Sequence, residues 1–442
     1  MSGYIPNADA ARRAMLDVLG AASAEELFEA VPEPIRLKRP LNLPSGQSEM
    51  ETIAHMRRLA GKNTVFSSVF RGAGAYRHYI PAIARRVASK EAFVTAYTPY
   101  QAEISQGALQ SIFEFQTMIC ELTGMDAANA SVYDGASAAA EAVAMCRGKS
   151  RQTVVMSSAA HPHVIETVRT YCAAADEGIA IAPHKDGAMD MDALDGIIDG
   201  NTACVYIQQP NFFGRLERAD EIAALARQRG TRLIMGCNPI ALAILKTPGE
   251  CGADIAVGEG QPLGLPLSFG GPYLGFMSCV NELTRRLPGR IAGETRDSNG
   301  ERAFVLTLQA REQHIKREKA ASNICSNQAL CALTAAAYMA AMGPAGMREA
   351  AEQCVSKASY LRARLSEVKG FEPVFGGPFF HEFVTRCPVP PEQLERCLEK
   401  EGILCGLPLT GELDGCILWC ATELNAKSEI DTLIDLVRRC SG

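Results

Sequence analysis

The chain predicts an α/β protein with three parts: a large domain on a mainly parallel sheet, a small C-terminal α+β domain, and an N-terminal arm. Three observations carry this expectation. From about residue 76 to 325, short β-branched or apolar runs ("TVVMS", "GIAIAP", "ACVYIQQ", "RLIMG", "DIAVG", "YLGFMS") alternate with helical stretches. Strands of about five residues spaced by helices make βαβ units with helices on both faces of the sheet. After Gly343-Pro344 the style changes to a long helix followed by strand, helix, strand and helix. The first residues, in contrast, carry a Pro-rich run and little apolar periodicity. The expected boundaries are 1–75 for the arm, 76–330 for the large domain and 331–442 for the small one. A chain of 442 residues is long enough for two or three domains.

In chain order, the arm offers a helix in "ARRAMLDVLG" and an extended stretch over 31–46, where "VPEPIRLKRPLNLPSG" cannot sustain a helix. A second helix follows in "SEMETIAHMRRLAGKN", ended near Gly61. Within the large domain the helices are "PHVIETVRTYCAAA", "MDALDGIID" and "RADEIAALARQRG". The apolar helix over 329–342 is too short for a membrane span and stops at Gly343-Pro344. The small domain is read from the helix "GMREAAEQCVSKASYLRARLSEVKG", the strands "FFHEFVTRC" and "GCILWCAT", and the helices "PPEQLERCLEKEG" and "SEIDTLIDLVRRC".

Composition narrows the function classes. The chain is 47% hydrophobic and 21% charged with a net charge of −6, so no basic surface suited to nucleic acid is evident. The N-terminal "MSGYIPNADAARRAML" has no apolar signal-like core. Sixteen cysteines are scattered through apolar runs with no CxxC and no zinc-like spacing. They read as reduced, buried side chains, which points to a reducing cytoplasm and no metal.

Residues 254–276, "DIAVGEGQPLGLPLSFGGPYLGF", run from a short strand through a Pro/Gly-rich loop into a second strand. The lysine-bearing loop of pyridoxal-phosphate enzymes has this form. Here it holds no lysine: the nearest are Lys246 upstream and Lys316 downstream. The pyridine nitrogen of that cofactor also needs an anionic partner. The preceding strand instead ends in Gly236-Cys237-Asn238, and Asn238 is neutral. The turn at Gly135 and Ser137 opens a helix of small residues, a form that suits either an anion or tight packing. Two missing elements together argue that this chain does not run the cofactor chemistry itself.

Other stretches have a different character. "AYTPYQAEISQG" gathers Tyr97, Thr98, Tyr100, Glu103 and Gln106 on one loop, which suits a binding surface or simply a well-capped loop. His161 and His163 suit either a helix entry or a ring stacked on a cofactor. A hairpin turn is expected at Asp297 to Gly300, followed by a charged helix in "QAREQHIKREKA".

The segments "FRGAGAYRHYIP", "YTPYQAEISQGALQSIFEFQTMICELTGMDAANAS", "GASAAAEA", "PGECGADIAVGEGQPLGLPLSFGGPYLGF" and "TLQAREQHIKREKAASNICSNQAL" together resemble the P-proteins of the glycine cleavage system. The likeness is to the lysine-free, alpha-type chain of the two-subunit bacterial form. It implies the fold-type I pyridoxal-phosphate transferase fold. It also implies that Gln261 or Pro262 stands where the beta subunit carries its lysine. The implied reaction, in the oxidoreductase class, is decarboxylation of glycine with transfer of the aminomethyl group to the lipoyl arm of H-protein. Pyridoxal phosphate is then bound by the beta subunit in a dimer of heterodimers, and the arm lies over a partner. The loop of Tyr97, Thr98, Tyr100, Glu103 and Gln106 is expected to line the active site or the lipoyl channel. Gly135, Ser137, Asn238 and Gln261 mark a vestigial cofactor pocket. Two other readings compete: a stand-alone enzyme using a lysine such as Lys185 or Lys246, and a non-catalytic binding or regulatory paralogue.

Overall fold

The computed structural model describes residues 7–441. The chain divides into two compact units, Met1–Thr64 and Val65–Gly442. In the first unit, helix α1 (Asp9–Leu19) ends on Gly20 in the left-handed conformation. Helix α2 (Glu49–Ala60) starts with a capping box between Ser48 and Glu51. The Pro-rich stretch between them is largely extended but contains a 3₁₀ turn at Glu33–Ile35. Neither helix buries a residue, as expected of an arm without its own core.

The second unit starts earlier than the expected residue 76. Ser68–Val69 pairs in parallel with Ile403–Leu404. Phe70 is fully buried in one cluster with Trp419 and Ile403. Apolar burial therefore ties the segment after Thr64 to the C-terminal region.

The large sheet has seven strands: β1 (Ala127–Ala128), β2 (Thr153–Ser157), β3 (Ile179–Ala182), β4 (Thr202–Gln209), β5 (Arg232–Cys237), β6 (Ile255–Glu259) and β7 (Gly275–Cys279). Their order is β1-β7-β6-β5-β4-β2-β3. Strands β2 to β6 pair in parallel, and β7 runs antiparallel to both β6 and β1. Alternate residues serve opposite faces. Val154, Met156, Cys204, Tyr206 and Ile234 join one core, while Val155, Val205, Ile207, Leu233 and Met235 join the other. Each face is covered by helices, so the strands read as continuous apolar runs. The flanking helices include α3 (Gln106–Thr123), α4 (Gly135–Cys146), α5 (Pro162–Ala174) and α6 (Ala219–Gln228).

Helix α7 (Ala329–Ser366) is interrupted at Gly343, where φ is 60° and ψ is 176°, immediately before Pro344. Its first part packs Ala332, Ala335 and Tyr338 against Phe115, Leu263 and Phe276 of the large core. Its last part packs Ala358, Leu361 and Leu365 against Trp419 and Leu433. The expected boundary at 331 thus falls inside one continuous core. The hairpin of β8 (Ile291–Arg296) and β9 (Arg302–Thr307) turns at Asp297 to Gly300 as expected. The small sheet joins β10 (Glu382–Arg386), β11 (Leu407–Pro408) and β12 (Cys416–Cys420) in the order β10-β12-β11. Helices α8 (Pro391–Glu399) and α9 (Lys427–Ser441) cover it.

Two expectations are corrected. The charged run after residue 308 forms only short turns, Gln309–Arg311, Gln313–Lys316 and Arg317–Lys319. Arg311 reaches inward to the carbonyls of Leu287 and Gly289, and Leu308 and Arg317 take positive φ. Buried main-chain acceptors outcompete helix propensity there. The cysteines are also not all reduced: Cys397 on α8 and Cys440 on α9 are joined, while fourteen are free and mostly buried.

Candidate active site

The carboxyl ends of β4, β5 and β6 open into a cavity of about 390 Å³. Ligands of open α/β sheets bind at such strand ends. One wall comes from the loop at Ala73–Tyr76 and from β10, and another from the start of α4.

Gln261, in the loop after β6, is buried. Its Oε1 accepts from Tyr76 N (2.9 Å), and its Nε2 donates to the carbonyls of Tyr76 (2.9 Å) and Leu265 (2.7 Å). The side chain is committed to backbone and does not line the cavity, whereas Pro262 does. Asn238, just past β5, accepts from Ile240 N and Ala241 N through Oδ1. Its Nδ2 is buried without a partner among the described residues, and Asn238 lines the cavity.

Helix α4 begins at Gly135 with Asp134 as its cap. Asp134 Oδ1 accepts from the amide and the hydroxyl of Ser137, both at 2.7 Å. Glu259, the last residue of β6, accepts from Gly135 N at 3.0 Å, Gln261 N at 3.0 Å and Leu274 N at 2.9 Å. His161 lines the cavity and caps α5, which is the helix-entry role expected of it. It accepts from His163 N and donates through Nε2 to Ala73 O at 2.9 Å, which makes it the neutral tautomer. Burial keeps its pKa low.

Sequence reasoning missed the opposite wall. Glu382 accepts from Ala73 N at 2.6 Å and from Tyr76 OH at 2.8 Å. The Tyr76 ring lies 4.4 Å from that of His381, whose two nitrogens are buried and have no partner among the described residues. The "GAGAY" segment and an acid beside a histidine in "FFHEF" are the only sequence signals for this wall, and neither is distinctive alone.

The loop residues lie elsewhere: none of Tyr97, Thr98, Tyr100, Glu103 and Gln106 lines the cavity. Gln106 is structural, bonded to the main chain of Phe304 in both directions and to Ala102 O. Tyr100 is held through its hydroxyl by Arg290 at 3.1 Å. Tyr97 is 93% exposed. The rival lysines do not enter either, since Lys246 is exposed and paired with Asp220 at 2.7 Å and Lys185 is exposed.

Among the described residues no lysine or arginine lines the cavity, while Asp134, Glu259 and Glu382 do. Pyridoxal phosphate does not fit these residues. The amine for the Schiff base and the acid for the ring nitrogen are replaced, and two amides of the helix start, those of Gly135 and Ser137, are taken by Glu259 and Asp134.

Burial pushes the carboxyls of Glu141, Glu259 and Glu382 up to about 7 from 4.5. The folded chain therefore keeps protons that the unfolded chain has released. Their stabilisation is complete below the ordinary value and is lost as pH rises through about 7. His161 and His381 work oppositely, because burial lowers both below 6.5 and they withdraw stability in acid. The melting temperature is expected to decline as pH rises from about 5 to about 7, with the histidines opposing the glutamates at the acid end, and these groups withdraw little more above that range. Glu382→Gln should flatten that decline in a melting series; a decline as steep as the parent's would remove Glu382 from the account.

The comparisons agree with this geometry. The family model "Glycine cleavage system P-protein" matches residues 2–437. "Probable glycine dehydrogenase (decarboxylating) subunit 1" of Desulforamulus reducens is 50% identical, over 97% of this chain and 98% of that protein. The protein of the same description from Moorella thermoacetica is 49% identical, over 98% and 99%. A crystal structure of glycine decarboxylase (P-protein), in inhibitor-bound form, superposes with a TM-score of 0.93 at 41% identity, covering 99% of this chain and all of that one. Mouse CSAD, at 14% identity and a TM-score of 0.70 with 95% and 92% covered, shares the fold. The fold is that of the fold-type I pyridoxal-phosphate enzymes, and the chain belongs to the glycine cleavage system P-protein family.

Proposed function

We propose that this chain is the alpha-type subunit of a two-subunit glycine decarboxylase and works with a lysine-bearing beta subunit. The observation that carries this is a cavity with no lysine on its wall among the described residues, with Gln261, which the resemblance puts with Pro262 at the lysine's place, committing its whole amide to the main chain of Tyr76 and Leu265. With its partner the chain decarboxylates glycine and passes the aminomethyl group to the oxidised lipoyl arm of H-protein, which is reduced. Pyridoxal phosphate belongs to the beta subunit in this reading.

Exposed loops support a pairing role. Tyr97, Ile104 and Phe269 are 93%, 80% and 96% exposed. Tyr97, Thr98 and Glu103 make no side-chain hydrogen bond among the described residues, which leaves them for the beta subunit's pocket or the lipoyl channel. In the arm, Val18, Ile35, Leu43 and Met50 are exposed apolar side chains suited to lying on a partner. The assembly is a dimer of heterodimers. Its place is the cytoplasm, in keeping with fourteen free thiols.

Glycine–bicarbonate carbon exchange, measured with H-protein and pyridoxal phosphate, tests the reading. The chain alone and a beta subunit alone should be inactive, and the mixture active. Exchange by the chain alone would return the reaction to a lysine of its own.

A further inference from the structure

We propose that Glu259 is a built-in anion: its carboxylate takes the place of a phosphate monoester at the start of α4 and shuts this chain's pocket to phosphorylated ligands. A helix N-terminus with free amides is an anion site. Here the anion is supplied from within. Glu259 Oε2 accepts from Gly135 N at 3.0 Å, while Oε1 accepts from Gln261 N at 3.0 Å and Leu274 N at 2.9 Å. Three main-chain donors converging on one carboxyl resemble the donor set that a bound phosphate group receives. A second amide of the first turn, that of Ser137, is taken by Asp134.

The carboxylate holds the donors that a ligand's anion would need, and the helix start lies close against the strand end. A Cβ on Gly135 would lie 2.8 Å from Glu259 N and 3.0 Å from Glu259 Cβ. The helix start and the strand end are therefore in contact, with only the carboxylate between the donors. The charge on the wall agrees: Asp134, Glu259 and Glu382 face the cavity with no lysine or arginine among the described residues. A phosphate dianion would meet like charge there once Glu259 and Glu382 ionise, above about pH 7.

Two other residues lining the cavity keep unused polar atoms: Asn238 Nδ2 and both nitrogens of His381, which is 1% exposed, are buried without partners among the described residues.

The test uses the full-length chain alone, without glycine or a partner, so its result is separate from that of the subunit reading. Melting temperature is followed against inorganic phosphate and against pyridoxine 5′-phosphate, which forms no Schiff base, with chloride at matched ionic strength as control. The parent chain should show no shift beyond the chloride control. Glu259→Ala should show a saturable rise of a few degrees with both ligands. If that variant does not fold, Glu259→Ser, which removes the carboxyl and leaves a short neutral hydroxyl, carries the same expectation. A phosphate-dependent rise in the parent chain, or none in the folded variant, overturns the proposal.

Discussion

Gln261→Lys is expected to lower stability by about 2–4 kcal/mol and to leave the chain without bound cofactor. The substitution puts an amine at one of the two positions, 261 and 262, that the family resemblance matches to the lysine, in a site packed around an amide. Gln261 both accepts from Tyr76 N and donates to two carbonyls. A lysine has donors only, so Tyr76 N loses its acceptor in a buried site. The ammonium must also be desolvated, and burial favours its neutral form. Urea unfolding reads the stability loss. Absorbance in the visible band of a protonated Schiff base, with pyridoxal phosphate added, reads the second half. A coloured, fully stable variant would show that the pocket tolerates the cofactor once an amine is present.

Gly214→Ala is expected to cost about 4 kcal/mol or more, or to prevent folding. Gly214 has φ 79°, and a Cβ there would lie 1.9 Å from the carbonyl oxygen of Glu382. The contact joins the loop after β4 to β10, beside the bond from Phe380 N to Gly214 O at 3.1 Å. No flexible side chain can move aside, because the obstructing atom is backbone. The same shift would displace Glu382 from Tyr76 and Ala73, so the cavity wall loosens together with the fold. Circular dichroism against urea measures the effect. A variant with the parent's midpoint would mean that the two segments part without cost.

The sequence made the sheet legible because each strand is buried on both faces and reads as an apolar run. Val154 to Met156 and Val205 to Ile207 are examples of that burial. The break at Gly343-Pro344 was legible because a glycine at φ 60° followed by proline cannot continue a helix. The turns around Arg311 were hidden, since the competing acceptors, Leu287 O and Gly289 O, are distant in sequence. The pairing of Cys397 with Cys440 was hidden as well, because spacing does not fix connectivity. At the site, absences could be read directly: no lysine in the loop and Asn238 at the strand end. What fills those absences could not. Glu259 looks like an ordinary acid closing a strand until Gly135, Gln261 and Leu274 are seen to converge on it. The Tyr97–Gln106 loop was a compositional signal, and composition does not say which pocket a loop faces.

The hydrogen bonds of Gln261 also bear on ancestry. A lysine restored at 261 leaves Tyr76 N unpaired, and an acid at 238 is a charge with no pyridinium beside it. Shortening Glu259 strips three amides of their acceptor. Each such change, made alone, is expected to lower stability before any chemistry returns. A chain built this way works as a ratchet: single substitutions toward a lysine-bearing site cost the fold first, so the present arrangement resists being undone one step at a time.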